Sequence, residues 1–188
     1  MIKRLVFLSL LCCVIGSSKI LAQAYDGSDD RKIFLGPTMI GDQFGIEIQG
    51  DEGLSDLVST GGKLIFLFIK DAENLDEFDR TASAFSKFDL ALFLRFHFSE
   101  ALKLSEKTDP YLGLDLSLKA LGGHIGFKYN FSETLGIYAQ AGHSFSGSFW
   151  SATSENSDSD LMTNRFAKRT NISLGLTFSI QTGSYGRY

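Results

Sequence analysis

Three histidines, His97, His124 and His143, are the side chains best suited to general acid–base work, because imidazole changes charge near neutral pH. A hydrolytic serine needs such a base within hydrogen-bond reach, and Ser144 follows His143 directly. Neighbours in an extended chain point to opposite faces, so this pair does not form a nucleophile and its base. No buried acid stands out to orient a histidine, and the chain is expected not to be an enzyme, with no catalytic residue assigned. Glu155, Asn156, Asp158 and Asp160 crowd oxygen ligands together, but without the spacing and glycine of an EF-hand. They read as a solvated loop, and neither a metal nor a cofactor is expected. Asn130-Phe131-Ser132 and Asn171-Ile172-Ser173 match the glycosylation pattern, yet both fall in extended segments. What remains is a set of mixed charges: Glu47, Asp89, Arg95, Asp115, Lys119 and Lys128.

The elements that carry those charges alternate with period two, the mark of strands. "NISLGLTFSI" puts Ile172, Leu174, Leu176, Phe178 and Ile180 on one face, with Asn171, Ser173, Gly175, Thr177 and Ser179 on the other. "HIGFKYNF", "LGIYAQAGHSF", "YLGLDLSLKAL" and "FDLALFLRFHF" repeat the pattern. "RKIFLGPTMI" and "FGIEIQG" form two further strands around a turn at Gly41-Asp42-Gln43, with Pro37 expected at a strand end or bulge. "GKLIFLFIK", apolar on both faces, completes eight strands joined as neighbouring hairpins. Gly122-Gly123 and Ser132-Glu133-Thr134 read as tight connections, and "SEALKLSEKTDP" as a link holding a turn of helix before Pro110. "DAENLDEFDRTASA" and "FWSATSENSDSDLMTNRF" are the long polar links.

Alternation does not say which face is inside. A soluble barrel keeps apolar side chains within, whereas a membrane barrel reverses them. A water-exposed sheet is studded with charge. Here the polar face of the last four strands is mostly Gly, Ser, Thr, Asn and Gln, with Asp115, Lys119 and Lys128 as its full charges. Small residues suit a crowded eight-strand lumen. The opposite face is rich in Leu and Phe over about ten residues, the length a tilted strand needs to cross hydrocarbon. Phe98, Tyr111, Phe131, Phe149 and Trp150 near strand ends suggest interfacial girdles. The expected fold is therefore an all-β, eight-stranded antiparallel up-and-down transmembrane β-barrel. Asp89, Arg95, Asp115, Lys119 and Lys128 should form a structural polar network in its lumen, because an unpaired ion there is costly.

The first 24 residues stand apart. Lys3 and Arg4 precede an apolar run from Leu5 to Ile15, and the segment closes on Ala22-Gln23-Ala24. This is the pattern of a secretory signal peptide with cleavage after Ala24. It divides the chain into a signal peptide, 1–24, and an outer-membrane barrel domain, 25–188. Both cysteines, Cys12 and Cys13, lie in the removed part. Removing Lys3, Arg4 and Lys19 moves the formal charge from −4 to −7, so nucleic acid is not an expected partner.

The stretches "AQAYDG", "FDRTASAFSKFDLALFLRF", "YLGLDLSLKALGGHIGFKYNFSETLGIYAQAG" and "NISLGLTFSI" resemble the small outer-membrane β-barrel proteins of Bacteroidota, in particular a family of unknown function. The resemblance implies outer-membrane localisation and a single eight-strand barrel, and it brings no catalytic residues. Barrels of this kind end on an aromatic that closes the last strand, whereas here "QTGSYGRY" continues past Ile180 to Tyr188. The expected partners are outer-membrane lipid, the barrel assembly machinery and an unidentified surface partner. The expected function is a structural or surface-interaction role with a filled lumen and no bulk transport. The alternative is a soluble lipocalin-like barrel with a small apolar ligand, for which "LIFLFI" would line a dry cavity.

Overall fold

The computed structural model describes residues 23–69, 84, 86–147 and 165–180. Residues 1–22, the 155–160 acidic stretch, Phe149, Trp150 and Tyr188 lie outside the described residues. Eight strands follow a short 3-10 turn at Gly27–Asp29: β1 Arg31–Ile40, β2 Gln43–Ser55, β3 Val58–Leu67, β4 Phe88–His97, β5 Thr108–Ser117, β6 Ala120–Asn130, β7 Leu135–Gly147 and β8 Thr170–Ser179. Each pairs antiparallel with the next, and β8 returns to β1, so the sheet is a closed up-and-down barrel. Closure satisfies every strand edge within the sheet.

The start of β1, the β2–β3, β4–β5 and β6–β7 connections and the end of β8 share one mouth, termed end A. The β1–β2 and β5–β6 turns and the two long connections, 68–87 and 148–169, share the opposite mouth, end B. Strands of 10 to 13 residues match the 9 to 11 or so that a tilted crossing of hydrocarbon requires.

The faces are sorted as the alternation predicts. Leu92 (65%), Ile125 (61%) and Leu174 (59%) are exposed on the outer wall, whereas Arg95, Glu47 and Lys128 are each 0% exposed in the lumen. Outer aromatics gather at both strand ends: Phe96, Phe98, Tyr129, Phe131 and Phe178 toward end A, and Phe44, Phe66, Phe68 and Phe145 toward end B. Tyr111 does not belong to this girdle. It is 1% exposed and points inward, because it shares the parity of Asp109 and Gly113.

Several local expectations are corrected. Pro37 lies in the middle of β1. Its partner ladder to β8 skips Gly36 and Pro37, which suits a residue with no N–H to donate. At the same place a Cβ on Gly36 would fall 2.0 Å from the Leu174 carbonyl, and one on Gly175 2.2 Å from that of Leu35. The seam therefore closes through two facing glycines. Gly122-Gly123 lies inside β6; the turn is Leu118-Lys119, where Ser117 Oγ accepts from the N–H of Ala120 (2.7 Å) and of Lys119 (3.1 Å). β2 and β3 extend to a hairpin at Asp56-Leu57. The apolar pattern is silent there because Asp51, Gly53, Ser59 and Gly61 take the inner positions. In the β4–β5 link one helical turn forms (Leu102 N–H to the Phe98 carbonyl, 3.0 Å) and ends at Lys103, which has φ 51°.

Candidate functional site

The lumen holds the chemistry, and its centre is Arg95 on β4. Its Nε–H donates to His124 Nε2 (3.0 Å), Nη1 to Asp51 Oδ2 (2.9 Å), and Nη2 to Gln49 Oε1 and to Gln140 Oε1 (3.1 Å). The guanidinium also lies over the rings of Phe93 (3.9 Å), Tyr111 (4.7 Å) and Phe34 (5.0 Å). A buried cation needs such partners, since an uncompensated one costs several kcal/mol. Arginine can only donate, so His124 Nε2 must accept. The ring proton then sits on Nδ1, which donates to Asp115 Oδ2 (2.8 Å).

Toward end B, Asp115 Oδ1 accepts from Lys63 Nζ (2.9 Å). Toward end A, Lys128 Nζ lies 4.0 Å from Asp51 Oδ2 and 3.0 Å from Asp109 Oδ2. Asp109 Oδ2 meets His97 Nδ1 at 2.7 Å, and His97 Nε2 meets Ser59 Oγ at 2.8 Å. A continuous polar chain thus runs from Lys63 through Asp115, His124, Arg95, Asp51, Lys128, Asp109 and His97 to Ser59. A second cluster is neutral in its donors: Glu47 Oε1 accepts from Tyr138 Oη (3.2 Å) and from Gln49 Nε2.

Among the residues singled out from sequence, Arg95, Asp115 and Lys128 join this chain. Asp89 (5% exposed) faces Lys119 at end B instead. Lys119 Nζ donates to the Phe88 carbonyl and lies 4.8 Å from the Phe166 ring centre. Burial pushes its ammonium down to about 8, with Asp89 opposing the shift. Sequence alone did not point to Lys32, Asp51, Ser59, Lys63 or Asp109, and it put Asp115 in the lumen without setting it beside a histidine. It placed no acid beside a histidine, whereas Asp115 orients His124 and Asp109 orients His97. Parity was the available signal: Asp51 continues the inner set Glu47, Gln49, and Asp109 continues Tyr111, Gly113. His143 is on the outer face, and it contacts Thr170 Oγ1 (3.2 Å) while Ser144 points inward.

End A is capped by the N-terminal segment. The Tyr25 ring stacks on His97 at 3.6 Å and 7°, and its hydroxyl lies 2.6 Å from the Ser55 carbonyl and 2.7 Å from that of Val58. Burial, then Asp30, Asp51, Asp109 and Asp56, raise its phenol above the ordinary range. Ala24 N–H donates to the Glu106 carbonyl (2.7 Å), and Asn130 Nδ2 donates to the Gln23 carbonyl (2.7 Å). Lys32 pairs with Asp30 beside the same mouth. Near end B a cavity of about 40 Å³ lined by Lys63, Asp89 and Asp115 has room for little more than a water or two.

The model of a family of unknown function (DUF6646) matches residues 16–178. No curated protein matches the chain. A solved structure described as de novo design of transmembrane beta-barrels is similar in fold, with a TM-score of 0.54 and 9% identity; the likeness covers 84% of this chain and 100% of that one.

Proposed function

The chain belongs to a family of unknown function, DUF6646, and from that premise we propose that it is a small integral outer-membrane β-barrel with a structural or surface-interaction role. One observation carries this reading. Leucine, isoleucine and phenylalanine cover the outer wall of all eight strands, while five cationic side chains among the described residues, with carboxylates beside them, are buried inside. Monomeric soluble proteins rarely expose a contiguous apolar patch beyond a few hundred Å². Full charges among the described outer-face strand residues are Arg31 and Glu52, which pair with each other at end A (2.7 Å). The fold likeness to designed transmembrane barrels supports a membrane location. No helix among the described residues is long and apolar enough to cross a membrane.

The lumen chain acts as a staple across the barrel and leaves no route for bulk solute. Asp89, Arg95, Asp115, Lys119 and Lys128 belong to that filling. With cleavage after Ala24 and both termini at the periplasmic end, the two long connections at end B face outward and form the working surface for an unidentified partner. Outer-membrane lipid and the barrel assembly machinery are the other partners of this reading. Nothing observed favours the soluble ligand carrier. Leu64, Phe66 and Phe68 point outward, and Ile65 and Leu67 fill a small cluster with Ile40 and Phe166.

The test is migration of detergent-purified protein with and without boiling, together with carbonate washing of membranes. Heat-dependent migration and retention in the washed membrane are expected. Release of native protein by carbonate would sink the reading.

A further inference from the structure

Ser59, His97 and Asp109 sit near the end-A termini of three successive strands, β3, β4 and β5. Ser59 Oγ is 2.8 Å from His97 Nε2, and His97 Nδ1 is 2.7 Å from Asp109 Oδ2. That is the order nucleophile, base, orienting acid, with each link at hydrogen-bond distance. All three side chains are buried, Ser59 and Asp109 at 0% exposure. The face of the imidazole carries the Tyr25 ring, parallel to it at 3.6 Å. Lys128 Nζ lies 3.0 Å from Asp109 and 5.0 Å from the Tyr25 ring centre, so a cation borders the same mouth.

We propose that this mouth is a serine acyl-transfer site, occluded by Tyr25, for a carboxylic ester whose aryl or acyl group takes the place of the Tyr25 ring. The proposal goes beyond the structural role and draws on the end-A members of the polar chain, Ser59, His97 and Asp109, with Arg95 taking no part in the reaction. In the reaction Ser59 Oγ forms a bond to the ester carbonyl carbon while its proton passes to His97 Nε2. The carbon–oxygen bond to the alcohol breaks, and His97 returns the proton to the departing oxygen. Water, deprotonated by His97, then releases the acid and restores Ser59. Asp109 is a positioning residue: it holds the ring proton on Nδ1 so that Nε2 faces Ser59. Lys128, 3.0 Å from Asp109 Oδ2, keeps that carboxylate charged and so supports its hold on the ring. The ring of Tyr25 sits just past the expected cleavage point. Its removal from the mouth therefore needs movement of a chain end, with the two carbonyl contacts of its hydroxyl given up.

The probe is a fluorophosphonate, which forms an Oγ–phosphorus bond with loss of fluoride. Mature protein beginning at Tyr25, in detergent micelles, is treated as wild type, Tyr25→Ala, Tyr25→Ala with Ser59→Ala, Tyr25→Ala with His97→Gln, and Tyr25→Ala with Asp109→Asn or Asp109→Glu. Adduct position is read by peptide mass, and barrel integrity by heat-dependent migration. Tyr25→Ala should label at Ser59 faster than wild type. Loss of His97 should slow labelling by roughly 100-fold or more, the range of a general base. Asp109→Asn should slow it, and Asp109→Glu should restore part of the rate. An intact Tyr25→Ala barrel that labels no faster than its Ser59→Ala counterpart overturns the proposal. If Tyr25→Ala does not fold, Tyr25→Val takes its place in the same series. An intact Tyr25→Val barrel that labels at Ser59 faster than wild type in a His97-dependent way supports the site; one that labels no faster than its Ser59→Ala counterpart overturns it.

Discussion

Arg95 is held by four hydrogen bonds and three aromatic faces, and the carboxylate that answers it, Asp51, is buried with it (1% side-chain exposure). Removing one partner of such a pair is costlier than removing both, because the survivor stays charged in a dry interior. Arg95→Met is therefore expected to lower the unfolding free energy by about 3–5 kcal/mol, and Arg95→Met with Asp51→Leu by clearly less. Urea titration of the micelle-folded protein measures both, and equal losses would remove the pair from the account. Tyr25 makes a second prediction at this scale. Its folded phenol titrates above the unfolded value, so its contribution is complete below about pH 10 and is lost as pH rises past it. Phenolate absorbance of Tyr25 against Tyr25→Phe, followed with cap release, tests the sign; a cap that tightens with alkali contradicts it.

At the scale of the strand, inner and outer positions obey different rules. Inside, bulk on one strand faces glycine on the next. Tyr111 is opposite Gly126, and His124 is opposite Gly113. The β1–β8 seam is stricter, because Gly36 and Gly175 face each other's backbone and not a movable side-chain tip. Gly36→Ala should cost about 1–3 kcal/mol, as overpacking does, and slow barrel closure; unchanged urea stability would refute the tight seam. Outside, polarity and not size is limiting. Leu92→Arg in mid-β4 should cost about 2–4 kcal/mol in a bilayer, the penalty of a cation near the midplane. The same change in a soluble barrel would cost almost nothing, so bilayer-folded stability also separates the two architectures.

At the scale of the whole molecule, a closed sheet converts a local rhythm into two separate environments. The period-two alternation determined eight strands, their hairpin order and which residues share a face, because side-chain direction in a strand depends on neighbouring residues alone; the composition of the polar face, mostly Gly, Ser, Thr, Asn and Gln, marked it as the inner one. That was legible in "NISLGLTFSI" and "HIGFKYNF" and obscure between Asp51 and Thr60, where glycine and polar residues carry no apolar signal. The same local parity put Arg95, Lys128 and Asp115 on the face that composition marked as inner. It could not say that Arg95 meets Asp51, 44 positions away, or that Asp109 orients His97. Nor could it bring Tyr25 onto the His97 ring. Those pairings depend on strand stagger and on which side chains cross the lumen. Such distances are set when β8 closes on β1, and no stretch of the chain encodes them by itself.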